Sequence, residues 1–305
     1  MTPAAFKRSI RDLQVWCSSC MVAFTGPDPI AVLIGAKRPS GTLIHKIAVH
    51  PDHGRQGHGR HLLTSLGSKL AILGPPRMVA EVPEGFGEAS GLFSVSGYVQ
   101  EAPLTDYVWE RDENDAGQIG ALARSSDERS GTQGPPRARS RGVGRSPTLE
   151  EGRFVIPVTI DDLAANGLLG DDHPQVCWER SVETLTARKD DIAGLAVASD
   201  ERIEAYLLYV NRGVDPPAFA PSGERELRRD VAGALAEAGG TEIMSLRSFV
   251  EDGGTRLTQL LSRLGMGTFR FPRVHPAEIS EELLETLGFR PVGGHLLYGA
   301  RARSE

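Results

Sequence analysis

The segment His50-Pro51-Asp52-His53-Gly54-Arg55-Gln56-Gly57-His58-Gly59-Arg60 concentrates the residues best suited to holding a phosphate. An apolar run, Leu43 to Val49, precedes it, and a helix-like run, His61 to Leu70, follows. Where a strand ends and a helix begins, several backbone N–H groups lack intrahelical partners, and the aligned peptide dipoles favour an anion. Gly54, Gly57 and Gly59 let the backbone approach a ligand closely and adopt positive φ. Arg55 and Arg60 add charge-assisted donors that match a pyrophosphate. Taken alone, such a loop also fits a plain glycine-rich turn. The full dinucleotide fingerprint is absent, because His61 and Leu62 follow where a third glycine would be needed.

Two further titratable groups lie on neighbouring runs with strand character, His45 and Glu81. Histidine has the intrinsic pKa suited to taking a proton near neutrality, and a histidine satisfied by a core partner is an equal alternative for His45. Strict alternation along the run puts Leu43, His45, Ile47 and Val49 on one face and Ile44, Lys46, Ala48 and His50 on the other. His45, His50, His53, His58 and His61 fall close together, but alternation separates the first two and the others flank the loop, so no metal site is assigned. Cys17 and Cys20 form one C-x-x-C pair with no second pair at zinc spacing, and the three cysteines of the chain are expected to be reduced and structural.

The loop resembles motif A of the GCN5-related N-acetyltransferases (GNATs), with Gly54 standing where Arg or Gln is usual and Arg55, Gln56, Gly57, His58 and Gly59 following the pattern. Glu81-Val82 with Ala89 to Tyr98 resembles motif B, with Phe86 in place of the usual Asn and Phe93 in place of the Tyr that often protonates the departing thiolate. The resemblance implies that Gly54, Arg55, Gln56, Gly57, His58, Gly59 and Arg60 bind the pyrophosphate of acetyl-coenzyme A. It also implies that the backbone of Ile47, Ala48 and Val49 meets the pantetheine arm and places the thioester carbonyl. The implied reaction is direct acetyl transfer to a small-molecule or peptide amine, with His45 or Glu81 as the candidate base. A weakly active or inactive acyl-coenzyme A-binding regulatory or structural protein is the alternative, favoured by Phe86 and Phe93.

The elements that must position these residues follow the same order twice. A short helix is expected over Ala4 to Leu13, and strands over Val15 to Thr25, Ile30 to Ala36 and Leu43 to Val49. Helix His61 to Leu73, strand Arg77 to Val82, helix Glu88 to Ser96 and strand Val99 to Glu110 complete a first α/β unit, residues 1–110. Residues 111–150 are rich in Gly, Pro, Ser and Arg and read as a linker, since they offer too little apolar surface to offset ordering entropy. In residues 151–305 a hairpin from Ile192–Ala198 and Arg202–Val210 is followed by helix Val231–Ala238 and strand Glu242–Val250. Helix Arg256–Leu264, strand Phe269–Val274, helix Ile279–Leu287 and strand Val292–Ala300 close the chain. In both halves a Tyr follows a Gly by ten residues, Gly97 to Tyr107 and Gly288 to Tyr298.

The expected fold is therefore α/β, with two GNAT-like domains whose mixed central sheets are flanked by helices, resembling the tandem branch of the superfamily with a mycothiol synthase-like architecture. The second domain reads as degenerate, because Glu251 and Asp252 beside Gly253-Gly254 would repel a phosphate. The first reads as truncated, since few residues precede its first strand where the family has a strand and helices that shape the acceptor site. An uncovered sheet edge there would invite homodimer formation. The chain has 305 residues and a net charge of −6, which gives no general case for nucleic acid; Arg137, Arg139, Arg141 and Arg145 lack interleaved aromatics. No run of about 18 apolar residues suggests a membrane span, the first residues lack secretory form, and the cytoplasm is the expected location.

Overall fold

The computed structural model describes residue 7 and residues 10–111, 153–170, 176–212 and 240–302. The strands are β1 (Met21–Thr25), β2 (Asp28–Lys37), β3 (Thr42–Val49), β4 (Arg77–Pro83), β5 (Val99–Arg111), β6 (Arg153–Pro157), β7 (Ala193–Ser199), β8 (Ile203–Arg212), β9 (Gly240–Ser248), β10 (Gly267–Val274) and β11 (Arg290–Arg301). The helices are α1 (His58–Leu73), α2 (Gly87–Val95), α3 (Ile160–Ala165), α4 (Val182–Ala187), α5 (Thr255–Ser262) and α6 (Glu281–Thr286). Helix α1 forms because Leu62, Leu63, Leu66 and Leu70 recur at helical spacing and bury one stripe against the sheet. Helices α2 and α6 end alike: the N–H of Tyr98 reaches the carbonyl of Phe93, and that of Phe289 the carbonyl of Leu284, each across a glycine of positive φ.

All eleven strands belong to one mixed sheet, in the order β1-β2-β3-β4-β11-β5-β10-β9-β8-β7-β6. This corrects the expectation of two separate central sheets. The last strand, β11, lies between β4 and β5 of the first half, while β5 lies between β10 and β11 of the second. Each half thus lends a strand to the gap in the other. Leu104 and His295, each seven residues beyond their glycine, face each other directly in the central antiparallel pair. The cores are exchanged along with the strands: Tyr107 and Trp109 of β5 pack with Leu257, Leu260 and Phe289, whereas Tyr298 of β11 packs with Leu66, Phe93 and Tyr98.

Two local readings are corrected. Val15 to Thr25 is not one strand; Val15 makes an isolated bridge, Cys17–Ser19 is a 3-10 turn, and β1 begins at Met21. Strict alternation along β3 also fails, because Ile34 pairs with Lys46 and Gly35 with Ile44, leaving His45 as the extra residue of a β-bulge. Such an insertion re-aims the side chains that follow it. Ile44, Ile47 and Val49 accordingly share the α1 core, while Leu43 packs on the opposite face with Trp178. The expected helix Val231–Ala238 and, apart from Arg111, the expected linker 111–150 lie outside the described residues.

Candidate active site

Strands β3 and β4 run parallel but pair only at Thr42–Met78 and Leu43–Val79. Beyond these residues they part, so the edge of Ile47, Ala48 and Val49 that faces β4 carries no ladder, while β2 holds the other edge through Leu33, Val32 and Ala31. The cleft between the strands leads to the loop at the end of β3. There a 3-10 turn, Pro51–His53, is tied by the N–H of Asp52 donating to His50 Nδ1 at 3.3 Å. Arg55 adopts φ +62°, and Gly57 takes the N-cap of α1 at φ +87°. A β-carbon built on Gly57 would meet nothing within 4 Å. Among the described residues, no acceptor takes the amides of residues 55–60, and α1 has no side-chain cap. The loop is thus an open cradle of unclaimed amides at a helix N-terminus, a geometry suited to an anion, with the exposed Arg55 and Arg60 at its rim. Gly54 and His58 are half-buried and Gln56 is exposed. Gly59 faces inward: its β-carbon would lie 3.2 Å from Leu92 Cδ2, so this glycine brings α1 close to α2.

A cluster of titratable side chains lies on the sheet face opposite α1. His45 is half-buried, and burial lowers its pKa, helped by the charge of Lys46 and opposed by Glu179. Glu81 sits level with it, each three residues beyond the Thr42–Met78 pair. Its carboxylate accepts from the Trp178 N–H at 2.7 Å and from Arg273 Nη1 at 2.6 Å. Arg273 also pairs with Glu179 at 2.9 Å, and its own N–H donates to Asp106 at 2.7 Å. Burial works against the Arg273 charge, but Glu179 and Glu81 raise its pKa well above the ordinary value. Asp106 Oδ2 lies 3.5 Å from His295 Nδ1. Burial would raise the Asp106 pKa, yet its contact with His295 and the Arg273 N–H hold it below the usual carboxylate range.

Of the groups gathered here the sequence singles out His45 and Glu81 as candidates, but not Arg273, Glu179, Asp106 and His295, most of which come from the second half. Nothing local marks them; only the exchange of β5 and β11 and the docking of residues 176–191 bring them to β3 and β4. That docking is specific. Trp178 Nε1 donates to the Leu13 carbonyl at 3.0 Å, and the Arg38 guanidinium lies 3.9 Å from the Trp178 ring while donating to Ser181 and Thr184. Burial pushes the Arg38 pKa down to about 10. Residues 176–191 thus cover the first half's sheet on the face opposite α1.

Phe93 is buried, 5.1 Å from Tyr98 and stacked at 5.8 Å on Tyr298, on the α1 side of the sheet. Phe86 is exposed at the start of α2. The rings of His50, His53 and His58 approach at 5.9 and 6.2 Å, yet no group of three His, Cys, Asp or Glu side chains among the described residues could hold a metal ion.

The second half repeats this geometry without its chemistry. Strands β9 and β10 pair only at Thr241–Phe269 and Glu242–Arg270, Met244 is the extra residue of a bulge, and Gly254 caps α5 at φ +87°. Met244 stands where His45 stands, and Pro272 where Glu81 stands, counted from those pairs. The cradle is filled by its own carboxylate: Asp252 accepts from the Gly254 N–H at 3.1 Å, the Arg256 N–H at 2.9 Å and Arg256 Nη1 at 2.7 Å. Leu283 closes the space above Gly254.

The sequence matches no protein-family model, and no curated protein matches it. Solved structures do resemble it in fold. A tandem GNAT protein from the clavulanic acid biosynthesis pathway aligns with a TM-score of 0.55 at 13% identity, over 97% of this chain and 88% of that one. A GCN5-related N-acetyltransferase from Sphaerobacter thermophilus gives 0.57 at 12% identity, over 97% and 85%. A GCN5-related glucosamine N-acetyltransferase region of a fungal multi-domain GH3 β-N-acetylglucosaminidase gives 0.58 at 11%, over 92% of this chain and 33% of that one. The architecture, a mixed sheet flanked by helices, is that of the GNAT fold. Among the described residues, no helix is long and apolar enough to cross a membrane.

Proposed function

We propose that the chain is an acetyl-coenzyme A-dependent N-acyltransferase made of two GNAT-like units, residues 1–110 and 151–305 joined by 111–150, of which only the first holds the acyl donor. The observation that carries this reading is the contrast between the two cradles: amides 55–60 are unclaimed beside a parted β3 and β4, whereas Asp252 occupies the equivalent amides of the second half. In this reading the loop Gly54 to Arg60 holds the pyrophosphate through the free amides of residues 55–60 and the side chains of Arg55 and Arg60, and the free edge of Ile47, Ala48 and Val49 receives the pantetheine arm. Acetyl-coenzyme A supplies an activated acetyl thioester. His45, kept neutral by burial, takes a proton from the attacking amine and hands it to the departing sulfur, which relieves the need for a tyrosine at Phe93. Glu81, with both oxygens engaged, acts by placing Arg273 and the Trp178 backbone.

A second reading, an acyl-coenzyme A-binding protein without turnover, is favoured by the burial of Phe93 away from the cleft. Titration calorimetry of the full-length chain with acetyl-coenzyme A, followed by thiol release in the presence of amines, separates the two. One site per chain with turnover supports the enzyme, and one site without turnover supports the binding protein. No binding by folded protein refutes both.

A further inference from the structure

Acetylating a protonated amine requires the nitrogen to lose two protons, one before it can attack and one as the C–N bond forms. His45 accounts for the second. The sheet places another histidine on the same face. His295 of β11 pairs with Pro83 of β4, and Leu297, two residues on, pairs with Glu81. Directly opposite residues share a face, and Leu297 packs with Val79 and Cys177 on the side away from α1. His295 therefore stands one strand beyond β4, level with the end of that strand and past the last paired residues of β3 and β4. Its counterpart in the other half, Leu104, is fully buried and apolar, so the repeat carries an imidazole on one side only.

The surroundings of His295 are built. Its Nδ1 lies 3.5 Å from Asp106 Oδ2, and the Asp106 Oδ1 is fixed by the Arg273 N–H at 2.7 Å. Arg273 holds φ +52°, a conformation uncommon for a side chain of its size, and is clamped there by Glu81 and Glu179. A β-carbon on the neighbouring Gly294 would run into the Glu84 carboxylate, so Glu84 lies against the same turn of β11. The charged group facing His295 is thus Asp106 from β5, itself held by the Arg273 N–H, while Glu84 lies across the other face of β11, since Gly294 and His295 point to opposite sides. His295 Nδ1 is buried and makes no hydrogen bond among the described residues; its 3.5 Å approach to Asp106 Oδ2 is the contact that an Nδ1–H would close, which would leave Nε2 to exchange protons.

We propose that His295, oriented by Asp106, receives the acceptor amine as an ammonium ion and removes its first proton, so that the second half completes the acceptor side of the first half's site. This rests on the N-acyltransferase reading. The ammonium N–H gives its proton to His295 Nε2, and the Asp106 carboxylate balances the imidazolium until solvent takes that proton. The freed lone pair forms the C–N bond as the C–S bond breaks, and the second proton passes through His45 to sulfur. The products are an amide, a thiol and one released proton. The acceptor class is consequently an alkylamine that is protonated near neutral pH.

The test compares two probe acceptors in the full-length chain, propylamine, which is protonated near neutral pH, and hydroxylamine, which is not. His295→Gln and Asp106→Asn are expected to lower kcat/KM for propylamine by on the order of a hundredfold, with hydroxylamine turnover and acetyl-coenzyme A affinity within a few-fold of wild type. Raising the pH toward the amine's own pKa should restore propylamine turnover in His295→Gln. Equal losses with both probes, or no loss with either, overturn the role of His295. Wild-type turnover of hydroxylamine but not propylamine overturns it as well. A wild-type chain that acetylates neither refutes the underlying enzymatic reading instead.

Discussion

Replacing Gly57 and Gly254 separately by alanine should dissociate stability from binding. Both glycines cap a helix at φ +87°, where an L-residue costs about 1–2 kcal/mol. At Gly57 that backbone strain is the whole folding cost, since a β-carbon meets nothing within 4 Å. At Gly254 the β-carbon would come within 2.7 Å of Leu283 Cδ1, which adds a packing conflict, so Gly254→Ala should be the less stable variant. Binding should rank the other way. If the methyl group at Gly57 displaces a phosphate from two loop amides, each charge-assisted bond is worth about 1.5 kcal/mol at the lower limit, about 3 kcal/mol together. That is on the order of a hundredfold in Kd for acetyl-coenzyme A. Urea unfolding gives the first ranking and calorimetric titration the second. Wild-type affinity in folded Gly57→Ala, or weakened binding in folded Gly254→Ala, would refute the assignment of the cradle to the first half.

Glu81→Gln should destabilise the protein by about 3 kcal/mol, the lower end for breaking a buried ion pair, because Arg273 keeps Glu179; chemical denaturation measures this, and a loss below about 1 kcal/mol would mean that solvent screens the pair. The depressed pKa of His45 means that the unfolded chain binds more protons, so stability should fall as the pH drops through about 6.5 toward the lower folded value. Thermal unfolding across that range should show a smaller drop in His45→Leu; an identical pH slope would show that His45 is not buried neutral. Burial pushes the Cys177 thiol up to about 12, whereas Cys17 is exposed. Native protein should therefore release colour from a thiol reagent promptly at Cys17 and yield Cys177 only on denaturation; prompt reaction of Cys177 would contradict its packing under Leu104 and Leu297.

What the sequence made legible were the features written in short-range pattern. The leucine stripe of α1, the strand runs and the glycine-rich loop appear close to where they were expected. The bulge at His45 was not legible, because Leu43 to Val49 has no glycine or proline to mark it, and the insertion exists only relative to the partner strand β2. The single sheet was hidden for a related reason. Strand β11 reads as an ordinary C-terminal strand, and its place between β4 and β5 depends on which neighbour offers a vacant edge. From the sequence, Glu251 and Asp252 beside Gly253-Gly254 repel a phosphate by charge alone. The structure gives a more specific cause in Asp252, whose carboxylate takes the helix-terminal amides for itself.

The exchange of β5 and β11 explains why a half without an open cradle is structurally indispensable to the other. Without β11, β4 and β5 would face each other across an empty strand position, and Tyr298 would be missing from the stack on Phe93. Without β5, the second half would lose Tyr107 and Trp109 from its core, each a large apolar contribution whose removal from such a site costs about 3–5 kcal/mol. The same exchange carries His295 to the end of β4 and sets Asp106 beside Arg273. The second half, whose helix-terminal amides are taken by Asp252 and which has Met244 and Pro272 where the first half keeps His45 and Glu81, places other polar groups across the shared sheet. The halves are thus asymmetric: the first has unclaimed amides beside parted strands, and the second supplies Arg273 and His295 to the sheet face opposite α1.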